Sequence, residues 1–193
     1  MGRKFCLLLL TASVLLWTGS PPGYCQQNDE EIAARSRAAR SSRAVDSEND
    51  LKPMRPMSRI EQVESLEQEC LDQINRLRAA EGLTPLRLLP ELLPVARDYS
   101  RRMAEERFFS HTDPDGLSVR QRVEAARIRW KMIGENLAYS NGYINPVAVT
   151  LRGWMDSPGH RRNILDPDYQ HTAIGVWISA DGTVYFTEIF IKL

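Results

Sequence analysis

Apolar residues fall along the chain in four regimes: one unbroken run, a stretch almost without them, a long region at helical spacing, and a last region at strand spacing. The run Phe5-Cys-Leu-Leu-Leu-Leu-Thr-Ala-Ser-Val-Leu-Leu-Trp17 follows Arg3 and Lys4 and gives way to Gly19-Ser-Pro-Pro-Gly23. A charged start, a short apolar segment and a polar exit form the pattern of a secretory signal peptide, expected over residues 1–25. The run is shorter than the roughly 20 apolar residues of a spanning helix, so no transmembrane span is expected in the mature protein. Residues 26–57 mix Gln, Asn, Asp, Glu, Ser, Arg and Pro with few large apolar side chains. Such a segment buries too little surface to offset its ordering entropy and reads as a disordered linker.

A single folded domain is expected over residues 58–193. Val63, Leu66, Cys70, Ile74 and Leu77 recur at steps of three and four, with Gly82 as a stop, and predict a helix. A second helix is predicted over residues 90–108, with Leu92, Val95, Ala96, Tyr99 and Met103 on one face. His111-Thr-Asp-Pro-Asp-Gly116 is dense in turn formers and reads as a loop. Ser118 caps a short helix running to Arg127, and Pro146 opens another that carries Val147, Leu151 and Trp154. The period then shortens. Residues 173–179 and 183–192 are β-rich and flank Ala180-Asp-Gly182, a hairpin signal. Tyr185, Ile189 and Ile191 point one way and Val184, Phe186 and Phe190 the other. A strand apolar on both faces must be covered on both, so the predicted fold class is α+β: a three-layer α/β/α sandwich with a central antiparallel sheet.

The 193 residues suit one domain of ordinary size, and the 42% hydrophobic fraction is that of a globular protein. Lys and Arg number 25 and so do Asp and Glu. That balance leaves no basic footprint for nucleic acid, which is excluded as a partner. The arginines between positions 35 and 43 have acids on both sides and read as a solvated tail. Of three cysteines, Cys6 leaves with the signal peptide. Cys25 stands at the expected cleavage point and is a candidate lipid anchor, although Pro22-Gly23-Tyr24 is a poor context for one. N-myristoylation at Gly2 is disfavoured, because Cys6 stands where Ser or Thr is required. Cys70 lies on an apolar helix stripe and reads as a buried structural thiol, with no disulfide framework around it.

Three histidines, His111, His160 and His171, lie beside turn formers, and Gly134-Glu-Asn136 stands between the first two. Singly they say little. In order, the chain presents His111-Thr-Asp-Pro-Asp-Gly, Gly-Glu135-Asn-Leu-Ala, Trp154, Ser-Pro-Gly-His160-Arg-Arg-Asn-Ile-Leu165, Gly175-Val-Trp and Tyr185-Phe-Thr-Glu-Ile-Phe190. Over about residues 66–190 this series resembles the CAP superfamily of cysteine-rich secretory proteins, antigen 5 and pathogenesis-related proteins, most of all its short bacterial branch. The resemblance implies an α/β/α sandwich, an extracytoplasmic location (secreted or cell-envelope) and a cleft in which His111, Glu135 and His160 match three members of a tetrad. The fourth, acidic member has no clean match; Asp156, beside Ser157, is a weak substitute.

Two imidazoles and a carboxylate suit Zn²⁺ or another divalent cation with open coordination positions, and His111, Glu135 and His160 are the expected metal ligands. The expected function is a binding module rather than an enzyme, taking a small molecule, lipid or peptide in the cleft. The competing readings are a metal-dependent, peptidase-like hydrolase acting on extracytoplasmic peptides or envelope polymers, and a lipid-binding or adhesive surface protein. A purely structural knot, with Glu135 holding loops, stands beside all three. His171 reads as structural, the Ser157–His160 spacing does not define a nucleophile–base pair, and Trp130, Trp154, Trp177, Tyr185 and Phe186 read as core. Arg161 and Arg162 read as solvated, and Asn163 and Asp166 as helix-end and turn chemistry.

Overall fold

A computed structural model of the protein describes residues 56–193. The expected signal peptide, the linker up to residue 55, the arginine cluster and Cys25 lie outside the described residues. Helix α1 spans Arg59–Ala80. Ser58 caps it with a full capping box, accepting from the Glu61 amide while the Glu61 carboxylate accepts from the Ser58 amide. Gly82 follows the helix at φ 72°, a left-handed angle that costs glycine nothing. Strand β1 is the pair Arg87–Leu88; a 3₁₀ turn at Pro90–Leu92 leads into α2, Leu93–Glu105. Helix α3 covers Val119–Ala125, β2 Met132–Ser140, α4 Pro146–Asp156, α5 Pro158–Leu165, β3 His171–Ile178 and β4 Val184–Lys192.

The sheet runs β1-β3-β4-β2, antiparallel between β3, β4 and β2, with β1 added in parallel to the start of β3. Its two apolar faces are covered as the alternation in β4 demanded. Ala173, Ile189 and Ile191 pack against Leu92 of the 3₁₀ turn, Ala96 of α2 and Val123 of α3. On the opposite face Ile174, Val176, Phe186 and Phe190 pack against Cys70 and Ile74 of α1, Val147, Leu151 and Trp154 of α4, and Ile164 of α5. The three-layer α/β/α sandwich is therefore present. Cys70 is buried and unpaired, and burial followed by the nearby carboxylates pushes its thiol well above the ordinary value. Layer spacing is tightest at Gly175: a Cβ there would lie 2.1 Å from the Arg97 amide nitrogen of α2.

Four local outcomes differ from expectation, each for a physical reason. Helix α2 stops at Glu105, not Phe108, because Arg107 turns left-handed at φ 57° and the Phe108 amide folds back onto the Met103 carbonyl. Helix α3 ends before Arg127 for the same kind of reason, at φ 61°. Residues 132–140, unassigned from sequence, form the long edge strand β2. The Ser157-Pro-Gly-His stretch, read as a loop, is the start of α5, with Pro158 at the first helical position.

Candidate functional site

Helix α2 and helix α3 together grip the loop that carries His111. Tyr99 on α2 donates its hydroxyl to the Ser110 carbonyl. Arg102, one turn on, reaches Asp113 and Asp115, each at 2.7 Å. Asp113 has no exposed side-chain surface and accepts from the Leu117 amide at 2.8 Å, closing the Asp-Pro-Asp-Gly turn. From α3, Arg122 donates to the carbonyls of His111 (3.3 Å) and Leu117 (3.1 Å). The loop is polar in composition, yet its backbone is held from two helices.

Strand β2 supplies Glu135 from the face that α2 and α3 cover, opposite Ile189 of β4. Its carboxylate is nearly inaccessible, at 2% exposed, and both oxygens are engaged: Oε1 with Nδ1 of His111 at 2.8 Å, Oε2 with Nη2 of Arg122. A carboxylate paired to a guanidinium only accepts, so Nδ1 carries a proton toward Glu135, and in the neutral ring Nε2 is the nitrogen with the lone pair. The His111 side chain is 57% exposed. The result is an imidazole fixed from behind and open in front.

His160 arrives from the other helical layer. Asn136, the next residue along β2, donates from Nδ2 to the His160 carbonyl at 3.1 Å. Asn163, one turn further along α5, donates to the Glu135 carbonyl (3.2 Å) and to Oδ1 of Asn136 (2.9 Å). Trp154 of α4 caps the next outward carbonyl, that of Leu137, at 2.9 Å. The outer edge of β2 is thus sealed by side chains from α4 and α5, and the site forms where the two helical layers meet around that edge. Partial burial, then the neighbouring His111, hold His160 below the ordinary imidazole value, so it is neutral at neutral pH.

The structure brings His111 and Glu135 into direct contact and leaves His160 within electrostatic reach of His111. No hydrogen bond joins His160 to Glu135 in the network around either residue. Among the described residues, no group of three His, Cys, Asp or Glu side chains is arranged as a metal cage. Glu135, expected as a ligand, stands behind His111 instead, as the carboxylate that orients an imidazole. His111 is the exposed imidazole of the two, and His160 is half-buried. Asp156, the weak fourth candidate, is exposed at the end of α4. His171 opens β3, half-buried, with Nδ1 buried and without a hydrogen-bond partner among the described residues.

Three participants were not picked out from sequence. Arg122 was not singled out in the sequence, Tyr99 stood only on an apolar helix face, and Asn163 read as helix-end chemistry. Only Asn163 carried a usable signal, standing three residues after His160 and therefore on the same side of a helix. An aromatic ledge continues the face: the rings of Phe109 and Tyr139 meet edge to face at 4.9 Å, and Tyr139 stacks on Tyr185 at 5.8 Å. A cavity of about 460 Å³ lies elsewhere, lined by residues of α1, α2 and β3. The site is placed at the imidazoles because chemistry-bearing groups converge there, whereas the cavity arginines are paired within the protein.

The sequence matches the profile of the CAP cysteine-rich secretory protein family over residues 71–190. It is 31% identical over 166 residues to the uncharacterized protein YkwD of Bacillus subtilis, spanning 86% of this chain and 61% of that one. Against the uncharacterized membrane protein YlbC of the same organism it is 35% identical over 127 residues, 65% of this chain and 34% of that one. The chain thus spans less than two thirds of either relative. Among solved structures, an extracellular protein containing an SCP domain from Bacillus anthracis superposes with a TM-score of 0.64 at 24% identity, covering 72% of this chain and 45% of that one. An outer surface protein from Borrelia burgdorferi superposes with a TM-score of 0.62 at 22% identity, covering 67% of this chain and 94% of that one. At these identities the structural likeness speaks for the fold.

Proposed function

The chain belongs to the cysteine-rich secretory protein (CAP) family, and from that premise we propose that it is an exported binding module whose cleft offers His111 and His160 to a divalent cation such as Zn²⁺ or to a ligand carried by one. The observation that carries this reading is the 2.8 Å contact between His111 Nδ1 and Glu135, which leaves Nε2 free, beside a neutral His160. Metal-binding imidazoles commonly present one nitrogen outward while a carboxylate holds the other. The residues fit a cation bound through two nitrogens, with the remaining positions open to water or ligand. A cation there would supply Lewis acidity. The chain's own residues hold His111 in one tautomer, fix its loop and anchor α5 to β2.

Export rests on the N-terminal pattern of residues 1–25 and on the extracellular or outer-surface character named for the structural neighbours. Among the described residues no helix is long and apolar enough to cross a membrane. Titration calorimetry with Zn²⁺ tests the site. Micromolar or weaker binding is expected for the wild type and none for the protein with both His111→Ala and His160→Ala; equal binding by the two refutes the reading. A screen for hydrolysis in the presence of Zn²⁺, with Glu135→Gln as control, addresses the enzyme alternative.

A second reading, a lipid-binding or adhesive surface, finds support in the groove lined by Ile60, Val63, Val176, Trp177 and Ile178. Under that reading, binding of an apolar ligand survives in the double histidine variant and is lost in Val63→Glu.

A further inference from the structure

Arg122 is a largely enclosed cation at the cleft. Only 8% of its side chain is exposed, and its guanidinium carbon lies 3.2 Å from the centroid of the Tyr99 ring. Nη1 is given to the His111 and Leu117 carbonyls and Nη2 to Glu135 Oε2. With His111 on Oε1, both oxygens of the carboxylate are committed inside the protein. A metal ion that bound through Glu135 Oε2 would compete with this guanidinium for the oxygen and sit beside its positive charge. Separating a buried ion pair leaves one charge desolvated and uncompensated, which opposes such binding.

We propose that Arg122 sets the cation selectivity of the cleft: as a resident positive charge it withholds the Glu135 carboxylate, so that the cleft accepts ions that bind through imidazole nitrogen and rejects ions that seek oxygen. Zn²⁺ and Cu²⁺ belong to the first class; Mg²⁺, Ca²⁺ and Mn²⁺ belong to the second. The Tyr99 ring beneath the guanidinium keeps it from swinging away, since an aromatic face favours a cation. The inference rests on the reading of His111 and His160 as the cleft's ligands, but it can be tested apart from that reading.

Four proteins suffice: wild type, Arg122→Gln, Arg122→Lys, and Arg122→Gln combined with Glu135→Gln. Each is checked for folding by circular dichroism and titrated calorimetrically with Zn²⁺ and, separately, with Mn²⁺. The expected result is no measurable Mn²⁺ binding by the wild type or by Arg122→Lys, which keeps the charge. Arg122→Gln gains at least tenfold in Mn²⁺ affinity, and the double variant loses that gain. Mn²⁺ binding by folded Arg122→Gln no stronger than by wild type overturns the assignment. So does Mn²⁺ binding by Arg122→Lys equal to that of Arg122→Gln. If Arg122→Gln does not fold, wild-type Mn²⁺ binding that disappears in Glu135→Gln overturns it as well, whereas its absence in both supports it. A wild type that binds no Zn²⁺, together with a Glu135-dependent gain for Mn²⁺, removes the imidazole reading and leaves the role of Arg122 standing.

Discussion

Glu188 lies on the sheet face away from the cleft, with no exposed surface. Its Oε1 accepts from the Thr172 hydroxyl at 3.2 Å, and Oε2 has no hydrogen-bond partner among the described residues. Arg78 is buried nearby, but it spends its donors on the carbonyls of Thr84, Ile164, Asp166 and Tyr169. Burial therefore dominates and pushes the Glu188 carboxyl well above its ordinary value of 4.5, against the smaller opposing pulls of Thr172 and Arg78. The native state keeps a proton there that the unfolded chain releases near pH 4.5. Such a group adds stability fully present below the unfolded value and lost as pH rises toward the folded one. The slope for one proton is about 1.4 kcal/mol per pH unit. Glu188→Gln keeps the shape and removes the ionisation. Between pH 5 and 7, two units of pH, the wild type should lose up to about 3 kcal/mol relative to the variant. Urea unfolding followed by tryptophan fluorescence at pH 5, 6 and 7 measures this. Because His160 titrates equally in both proteins, the difference between them isolates Glu188. Parallel stability–pH curves for the two proteins would refute the reasoning.

Other outcomes follow from the same packing. Gly175→Ala drives a methyl into the backbone of α2 at Ala96 and Arg97 and should cost about 3 kcal/mol or more, seen as a fall in thermal midpoint; an unchanged midpoint contradicts the close approach. Asn163→Ala removes donors from the Glu135 carbonyl and Asn136, and should cost about 1–3 kcal/mol while also weakening Zn²⁺ binding by loosening α5; intact binding would show that α5 is held some other way. Trp154→Phe leaves the Leu137 carbonyl unpaired and should cost a similar amount in urea titration. Zn²⁺ affinity should fall steeply as pH drops below about 6.5, where imidazoles gain their protons; a flat profile from pH 7.5 to 5.5 would exclude histidine ligation.

The layers of this fold could be read from residues that act through burial. Val63, Cys70 and Ile74 keep helical spacing, and Phe186, Ile189 and Phe190 keep strand spacing, because each must meet an apolar neighbour. Strand β2 escaped because its sequence breaks alternation: Glu135 points into a covered face where an apolar residue was the natural expectation, and Asn136 points into the other. Helix α5 escaped because a Pro-Gly pair after Ser157 reads as a turn, while the eight residues that follow make a helix only by packing on β2 and α4. At the cleft, motif order grouped His111, Glu135 and His160; the structure joins the first two directly, and motif order could not assign their roles. The role of Glu135 depends on Arg122, thirteen positions earlier on a different element, and no local pattern links the two. Interactions between elements leave a trace in sequence mainly through burial; a buried guanidinium on an amphipathic helix looks solvated.

The account stands or falls on what a cation touches in the cleft. Anomalous diffraction at the zinc edge, from crystals soaked in Zn²⁺ near neutral pH, reports this directly. One zinc peak shared by His111 Nε2 and His160, with Glu135 still bridging His111 Nδ1 and Arg122, is the predicted result. A zinc bound to the Glu135 carboxylate with Arg122 swung away, or no peak near either histidine, would contradict it.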